Sequence, residues 1–276
     1  MPLIITATDF SEIAENAVKY ACNLAMDQKA DLLVIHSYLL PLVYDEVQLP
    51  GAFLNDTQEN AERQMEQLVG NLKLSYDGMN IRGRVVYGDF IDAINDSSDE
   101  GEKPLLVVLG NSSVNGDGAW PDSSLTEALH NLRAPVLAVP PGMVYKAIRK
   151  ICFAFDNKPF NHAGILEHVV KVTHALHAKL HILNIRTETG HQDQETDFIR
   201  IAKDIFSELN PHYHTVFEVN DVDGAIHDFV QINGFDLLVM VPRRHTFFDA
   251  LFHKSHTRSA TTRGTVPILA IQDRHS

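Results

Sequence analysis

The sequence predicts an α/β protein of two tandem, doubly wound, Rossmann-like domains, each carrying a five-stranded parallel sheet. Three observations carry this. Short apolar runs rich in β-branched residues alternate with amphipathic stretches, the pattern of buried parallel strands covered by crossover helices. The opening order occurs twice: PLIITATDFSEIAENAVKYACNLA (Pro2 to Ala25) is answered by AIRKICFAFDNKPFNHAGILEHVVKVTHALH (Ala147 to His177), which makes Asp9 and Asp156 counterparts. Three later landmarks, GDFIDAI from Gly88, PLLVVLG from Pro104 and APVLAVP from Ala134, return 132 residues on as NDVDGAI, DLLVMVP and VPILAIQ. The chain of 276 residues therefore divides at 1–141 and 147–276, joined by Pro141 to Lys146, and each half is long enough for its own core.

Each element has a local reason. LIITA (Leu3 to Ala7) is a short apolar run and reads as a buried strand. Ser11 and Glu12 then open a helix, because a serine hydroxyl can cap free N–H groups and an acid suits the positive end of the dipole. Ala14, Ala17, Val18, Ala21, Leu24 and Ala25 follow at helical spacing. Asp31 to Tyr38 is the second strand, Leu39 to Leu54 a long irregular connection, and Asp56 to Leu74 a polar helix. Arg82 to Tyr87 is the third strand, Phe90 to Asp96 a short helix, Pro104 to Gly110 the fourth strand, Ser123 to Asn131 a helix and Ala134 to Pro140 the fifth strand. The second half repeats the order, with strands at Arg149 to Phe155, Lys179 to Ile185, His214 to Val219, Asp236 to Val241 and Val266 to Ile271.

Composition narrows the function classes. Hydrophobic residues make up 45% and charged residues 21%, as in an ordinary globular protein, and no stretch approaches the length of a membrane span. A cytoplasmic protein with neither a membrane nor a nucleic acid as partner is the reading. The net charge of −13 argues against nucleic acid, whose phosphates need clustered Lys and Arg. That charge is unevenly shared, with 9 Lys and Arg against 21 Asp and Glu before Ala147, and 14 against 15 after it. Cys22 and Cys152 fall at different landmarks and read as small buried hydrophobes, so a disulfide framework is not predicted.

A doubly wound sheet binds ligands outside the carboxyl ends of its strands, which directs attention to Asp9 and the loop after Gly110, and to Asp156 and the loop after Val241. With TATDFS and FAFDNK, the ADLLVIHSY strand, the VxxGDxxxAI segment, DLLVM and the closing APVLAVP and VPILAI, the chain resembles a tandem universal stress protein, two UspA-type domains fused head to tail. The resemblance covers essentially the whole chain. It implies an open five-stranded α/β domain, antiparallel pairing of the fifth strands (Pro135 to Val139 and Pro267 to Ile271) in a pseudo-dimer, and room for a homodimer. It also implies that ATP-binding members carry Gly-x-x-Gly-x9-Gly-Ser/Thr after the fourth strand. Asp9 and Asp156 would contact the nucleoside, with His36 and Ser37 bordering the base pocket.

This chain departs from that motif. Gly110 serves as its first glycine, but Ser113 stands at the second, Asp122 with Ser123 replaces the closing Gly-Ser, and the spacing is one residue short. An Asp beside a triphosphate would repel it, so ATP or another adenine nucleotide is admitted in the first domain without being required. In the second domain VPRRHTFFDALFHKS has no glycine, and Pro242 lacks an N–H to offer phosphate. Arg243, Arg244, Lys254 and the histidines around Ser255 could hold an anion by side chains instead.

Two further readings stay beside these. Asp9 and Asp156 each precede a helix and could be caps; for Asp9 the ligand role is favoured, for Asp156 the cap. Thirteen of the 15 histidines follow residue 147, and pairs such as His174 with His177, His212 with His214 and His253 with His256 have spacings that could share a metal ion or titrate together. No catalytic motif is found: neither a Walker loop nor a GxSxG elbow nor a GxGxxG follows a strand. The function implied is therefore a non-catalytic stress-response binding or regulatory protein with degenerate nucleotide motifs. The alternatives are a weak ATPase using the first domain, and a metal or anion sensor in the second.

Overall fold

The computed structural model describes residues 1–39, 51–99, 101–111, 123–155, 162–186, 197–217, 222–242 and 266–272. It divides into two compact units, Met1–Ala134 with Pro141–Tyr145, and Pro135–Pro140 with Lys146–Ser276.

Unit 1 is an α/β fold of β1 (Leu3–Ala7), α1 (Glu12–Gln28), β2 (Asp31–Tyr38), α2 (Gly51–Ser75), β3 (Ile81–Tyr87), α3 (Phe90–Asp99), β4 (Leu106–Gly110) and α4 (Ser123–Asn131). Its strands are parallel in the order β3-β2-β1-β4, with Ile5 between Leu33 and Val107. Every residue of β1 is buried, as its unbroken apolar run requires of a strand covered on both faces. Ser11 caps α1 through its hydroxyl, which accepts the Ala14 N–H at 3.2 Å. The stripe behind that cap buries Ala17, Val18, Ala21, Leu24 and Ala25 against the sheet. Helix α2 begins at Gly51, so the irregular connection ends sooner than its prolines and glycine suggest. The chain also returns to unit 1 late: the Tyr145 ring meets Tyr20 edge to face at 5.1 Å, and its hydroxyl donates to Asp27 Oδ2 at 2.8 Å.

Unit 2 contains β5 (Val136–Val139), β6 (Lys150–Phe155), α5 (His162–Ala175), β7 (Lys179–Arg186), α6 (Asp197–Ile205), a 3-10 turn at Ser207–Leu209, β8 (His212–Phe217), α7 (Val222–Ile232), β9 (Leu237–Met240) and β10 (Ile268–Ala270). The strand order is β5-β10-β9-β6-β7-β8. Only β5 runs antiparallel, with Leu137 opposite Leu269, so the closing strand of the first repeat packs in the second unit and the sheet is mixed. Phe153 and Phe206, both 0% exposed, meet edge to face at 6.2 Å and anchor this core, where each such ring is worth roughly 1.5–3 kcal/mol of burial. Cys22 and Cys152 are free thiols, both buried.

Main-chain hydrogen bonds fix which residues correspond between the units. Asp31 N–H donates to the Pro2 carbonyl and Lys179 N–H to that of Arg149; Leu105 N–H donates to Leu3 and Asp236 N–H to Lys150. Leu105 and Asp236 are therefore counterparts at a spacing of 131, not 132. Just before them, Gly101 and Gly234 both take positive φ (103° and 59°), and the next N–H bonds back into the helix, Glu102 to Ser97 and Phe235 to Val230. Glu102 and Phe235 thus correspond at a spacing of 133, and the turn into β9 is two residues shorter than the turn into β4. The uniform offset in the sequence hides this because LLVV matches LLVM better at 132 than it matches DLLV in the register the sheet sets.

Candidate functional site

Strand order in unit 1 reverses between β1 and β4, and the crevice lies at their carboxyl ends. The segment Thr8 to Ser11 lines it through a chain of short-range bonds. Thr8 N–H donates to the Ile35 carbonyl at 2.9 Å, continuing the sheet one residue past β1. Thr8 Oγ1 accepts the Phe10 N–H at 3.0 Å, and Asp9 Oδ1 accepts the Ser11 N–H at 3.0 Å, closing an Asx turn. Phe10 is left at φ 63°, a left-handed conformation costing a bulky L residue roughly 1–2 kcal/mol. Its ring is held against His36, with centroids 4.4 Å apart. His36 in turn sets its Nδ1 2.8 Å from the Thr8 carbonyl. A carbonyl only accepts, so Nδ1 carries a proton, and in the neutral imidazole Nε2 is the acceptor.

The residues singled out from sequence fare differently. Asp9 and His36 come together around the Thr8–Phe10 turn, both half-buried. Asp9 is not the helix cap: Ser11 caps α1, and Asp9 braces the turn before it. Ser37 follows His36 on the strand, so its side chain faces the other side of the sheet and the two do not form one wall. Gly110 ends β4 where a Cβ would come within 2.9 Å of Ile13 Cγ2 and 3.0 Å of its carbonyl oxygen. Close packing of β4 under α1 therefore demands glycine there whether or not a phosphate binds. Ser123 opens α4. Ser113, Asp156, Arg243, Arg244 and Ser255 lie outside the described residues, as do Asp122 and the rest of the basic loop.

Sequence reasoning does not single out Thr8 or Phe10, since neither residue type signals a left-handed turn. It also passes over Asn184. Because Lys179 corresponds to Asp31, Asn184 stands where His36 stands; it is 4% exposed, and neither amide atom has a hydrogen-bond partner. Matching DLLVIHSY to KLHILNIR in register would have found it. A buried amide without partners costs about 1–3 kcal/mol, which makes this position a candidate contact for a polar group in the second unit. Among the described residues, no group of three or more His, Cys, Asp or Glu is placed to hold a metal ion, and no helix is long and apolar enough to cross a membrane.

Fold and strand order together define an α/β domain whose candidate ligand site is the topological switch point. The family model described as "Usp: Universal stress protein family" matches residues 2–140, and the chain belongs to that family. Among solved structures it is similar to a universal stress protein from Archaeoglobus fulgidus DSM 4304, with a TM-score of 0.71 and 14% identity over 98% of this chain and 98% of that chain. At that identity the likeness speaks for the fold. It is also similar to the universal stress protein UspA from Lactobacillus plantarum, at 18% identity over 51% of this chain and 97% of that chain with a TM-score of 0.41. A third similar structure is a universal stress protein in complex with cAMP, at 18% identity, 51% and 98% coverage and a TM-score of 0.39. No curated protein matches the chain.

Proposed function

We propose that this universal stress protein is a non-catalytic binding and regulatory module, whose first unit recognises the nucleoside part of an adenine nucleotide without a working phosphate cradle. The observation that carries the reading is Asp9, braced at the end of β1 by one oxygen next to a His36 whose Nδ1 is committed to Thr8. One carboxylate oxygen and His36 Nε2 remain as acceptors, which suits ribose hydroxyls or an exocyclic amine. The phosphate side has less behind it. Gly110 is accounted for by its contact with Ile13, Ser113 and Asp122 stand where the second and third glycines would admit phosphates to main-chain N–H groups, and the spacing to Ser123 is one residue short.

Calorimetric titration with adenosine and with magnesium ATP tests this. Both are expected to bind weakly and within about threefold of each other, and Asp9→Ala should weaken both by roughly tenfold, the value of a hydrogen bond to a charged group. ATP binding a hundredfold more tightly than adenosine, or ATP turnover lost in Asp9→Ala, would overturn the reading in favour of a working nucleotide site.

A further inference from the structure

In unit 2, three imidazoles gather on the face of the sheet toward α7. His181 of β7 is paired in register with His212 of β8, and Leu183 with His214, so His181, His212 and His214 share one face. His181 Nδ1 lies 2.9 Å from His214 Nε2. The two rings are inclined by only 15° with centroids 5.2 Å apart, which exceeds the nitrogen separation by about two ring radii. The rings therefore lie end to end in nearly one plane, each aiming a ring nitrogen at the other, and are joined by a single N–H···N bond. Phe235 meets His181 edge-on at 5.0 Å, Phe229 of α7 meets His214 at 5.1 Å, and His212 stacks on His181 at 4.8 Å.

That arrangement favours a proton over a metal ion. Two imidazoles sharing an ion point their lone pairs at a common site about 2.0–2.1 Å from each nitrogen. Here the two nitrogens point at one another across 2.9 Å, which has room for hydrogen alone.

We propose that the His181–His214 bond is a proton-operated clasp on the edge strand β8: it stays closed while one of the two facing nitrogens carries the shared proton and the other accepts it, and opens when acid places a proton on both. With both nitrogens protonated, two N–H donors face each other and the bond becomes a repulsion. Among the described residues no acid is placed to offset it. From β6 and β7 the charged groups acting on His181 are Lys150 and Lys179, and from β8 His212 and His214. On α7, His227 lies beside Asp228 at 3.5 Å, and the Asp236 carboxylate accepts the N–H groups of Arg149 and Lys150. Burial, then the neighbouring His212 and His214, push His181 from 6.5 down to about 4, and burial lowers His214 as well.

The sign follows. A histidine depressed in the folded state leaves stability intact above pH 6.5; stability falls below that, as the unfolded chain takes up protons that the fold refuses, down to about pH 4. Unit 1 supplies the contrast at corresponding positions. There Leu33 stands for His181, Arg82 and Arg84 for His212 and His214, and Glu102 for Phe235, so the same strand edge is fastened by groups that keep their charge through this range.

Amide hydrogen exchange of the intact protein, corrected for intrinsic rates, reads the clasp. Protection over Tyr213 to Val216 is expected to fall by at least about tenfold between roughly pH 7 and pH 4.5, while protection of β3 stays level. His181→Leu, which installs the unit 1 residue, should keep β8 protected and reduce its pH dependence to the smaller part that buried His214 contributes. Three results would each overturn the proposal: equal loss in β3 and β8, an unchanged loss in His181→Leu, or protection of wild-type β8 by added zinc ion at neutral pH. Should His181→Leu misfold, the histidine ring signals of the wild-type protein decide: a strongly deshielded shared proton lost on acidification supports the clasp, and two independently titrating rings refute it.

Discussion

Strands β3 and β8 lie at the same edge of their respective sheets, in the same register to the neighbouring strand, and are fastened by opposite kinds of chemistry. On β3, Arg82 Nη1 reaches Glu102 Oε1 at 2.8 Å and Arg84 Nη2 reaches Oε2 at 2.7 Å, with Arg84 also donating to Ser97 Oγ. The carboxylate sits between two guanidinium groups, and the hydrogen bond from Arg82 leads in holding it below the usual Glu range. On β8 that carboxylate has become a phenyl ring and the guanidiniums imidazoles. Duplication preserved the strand and left its fastening free to change, so one unit carries an edge insensitive to mild acid and the other an edge that senses it.

Restoring the missing acid should break the contrast most. Phe235→Glu places a carboxyl group at a position 4% exposed among aromatic rings, where the Lys150 ammonium, 4.7 Å from the Phe235 centroid, offsets part of the cost, and the expected loss is about 1–3 kcal/mol at neutral pH. The loss should shrink toward pH 5.5 as His181 and His214 charge against it, a slope opposite to that of the wild type, which urea midpoints at the two pH values measure. Removing the acid from unit 1 comes next. Glu102→Gln leaves Arg82 and Arg84 without a counter-charge at a half-exposed site, for a loss of roughly 1 kcal/mol. Because Glu102 is depressed in the fold, its contribution is full above pH 4.5 and disappears as acid reaches its lower native value, so wild type and variant should converge there. The smallest effect is salt. Raising it from about 0.05 M to 0.5 M should cost the Arg–Glu edge only some tenths of a kcal/mol, seen as slightly faster exchange in β3, with none in β8 at neutral pH.

What the sequence made legible was local. The run Leu3–Ala7, the Ser11 cap and the helical stripe behind it each follow from neighbours a few residues away, and all are present. Asp9 and His36 were singled out by their positions at strand ends, and they meet around one turn. The packing role of Gly110 was not, because Ile13 lies 97 residues away in the chain and meets it only once α1 is laid over β4. The histidines show the same limit. His212 and His214 are conspicuous at a strand spacing that suits a metal ion, but the partner that matters is His181, brought in by parallel pairing across 33 residues, and it turns two ligand candidates into one hydrogen bond.

Each unit also holds a single thiol, Cys22 on α1 and Cys152 on β6, both at 0% exposure and both pushed up to about 12 by burial. A sulfur in that state is almost never a thiolate at neutral pH, so electrophiles and peroxides meet an unreactive, inaccessible atom until the surrounding structure parts. The two sulfurs are therefore built-in clocks: the rate at which each is alkylated reports how often its own unit opens, and a mass spectrometer can read both from one sample.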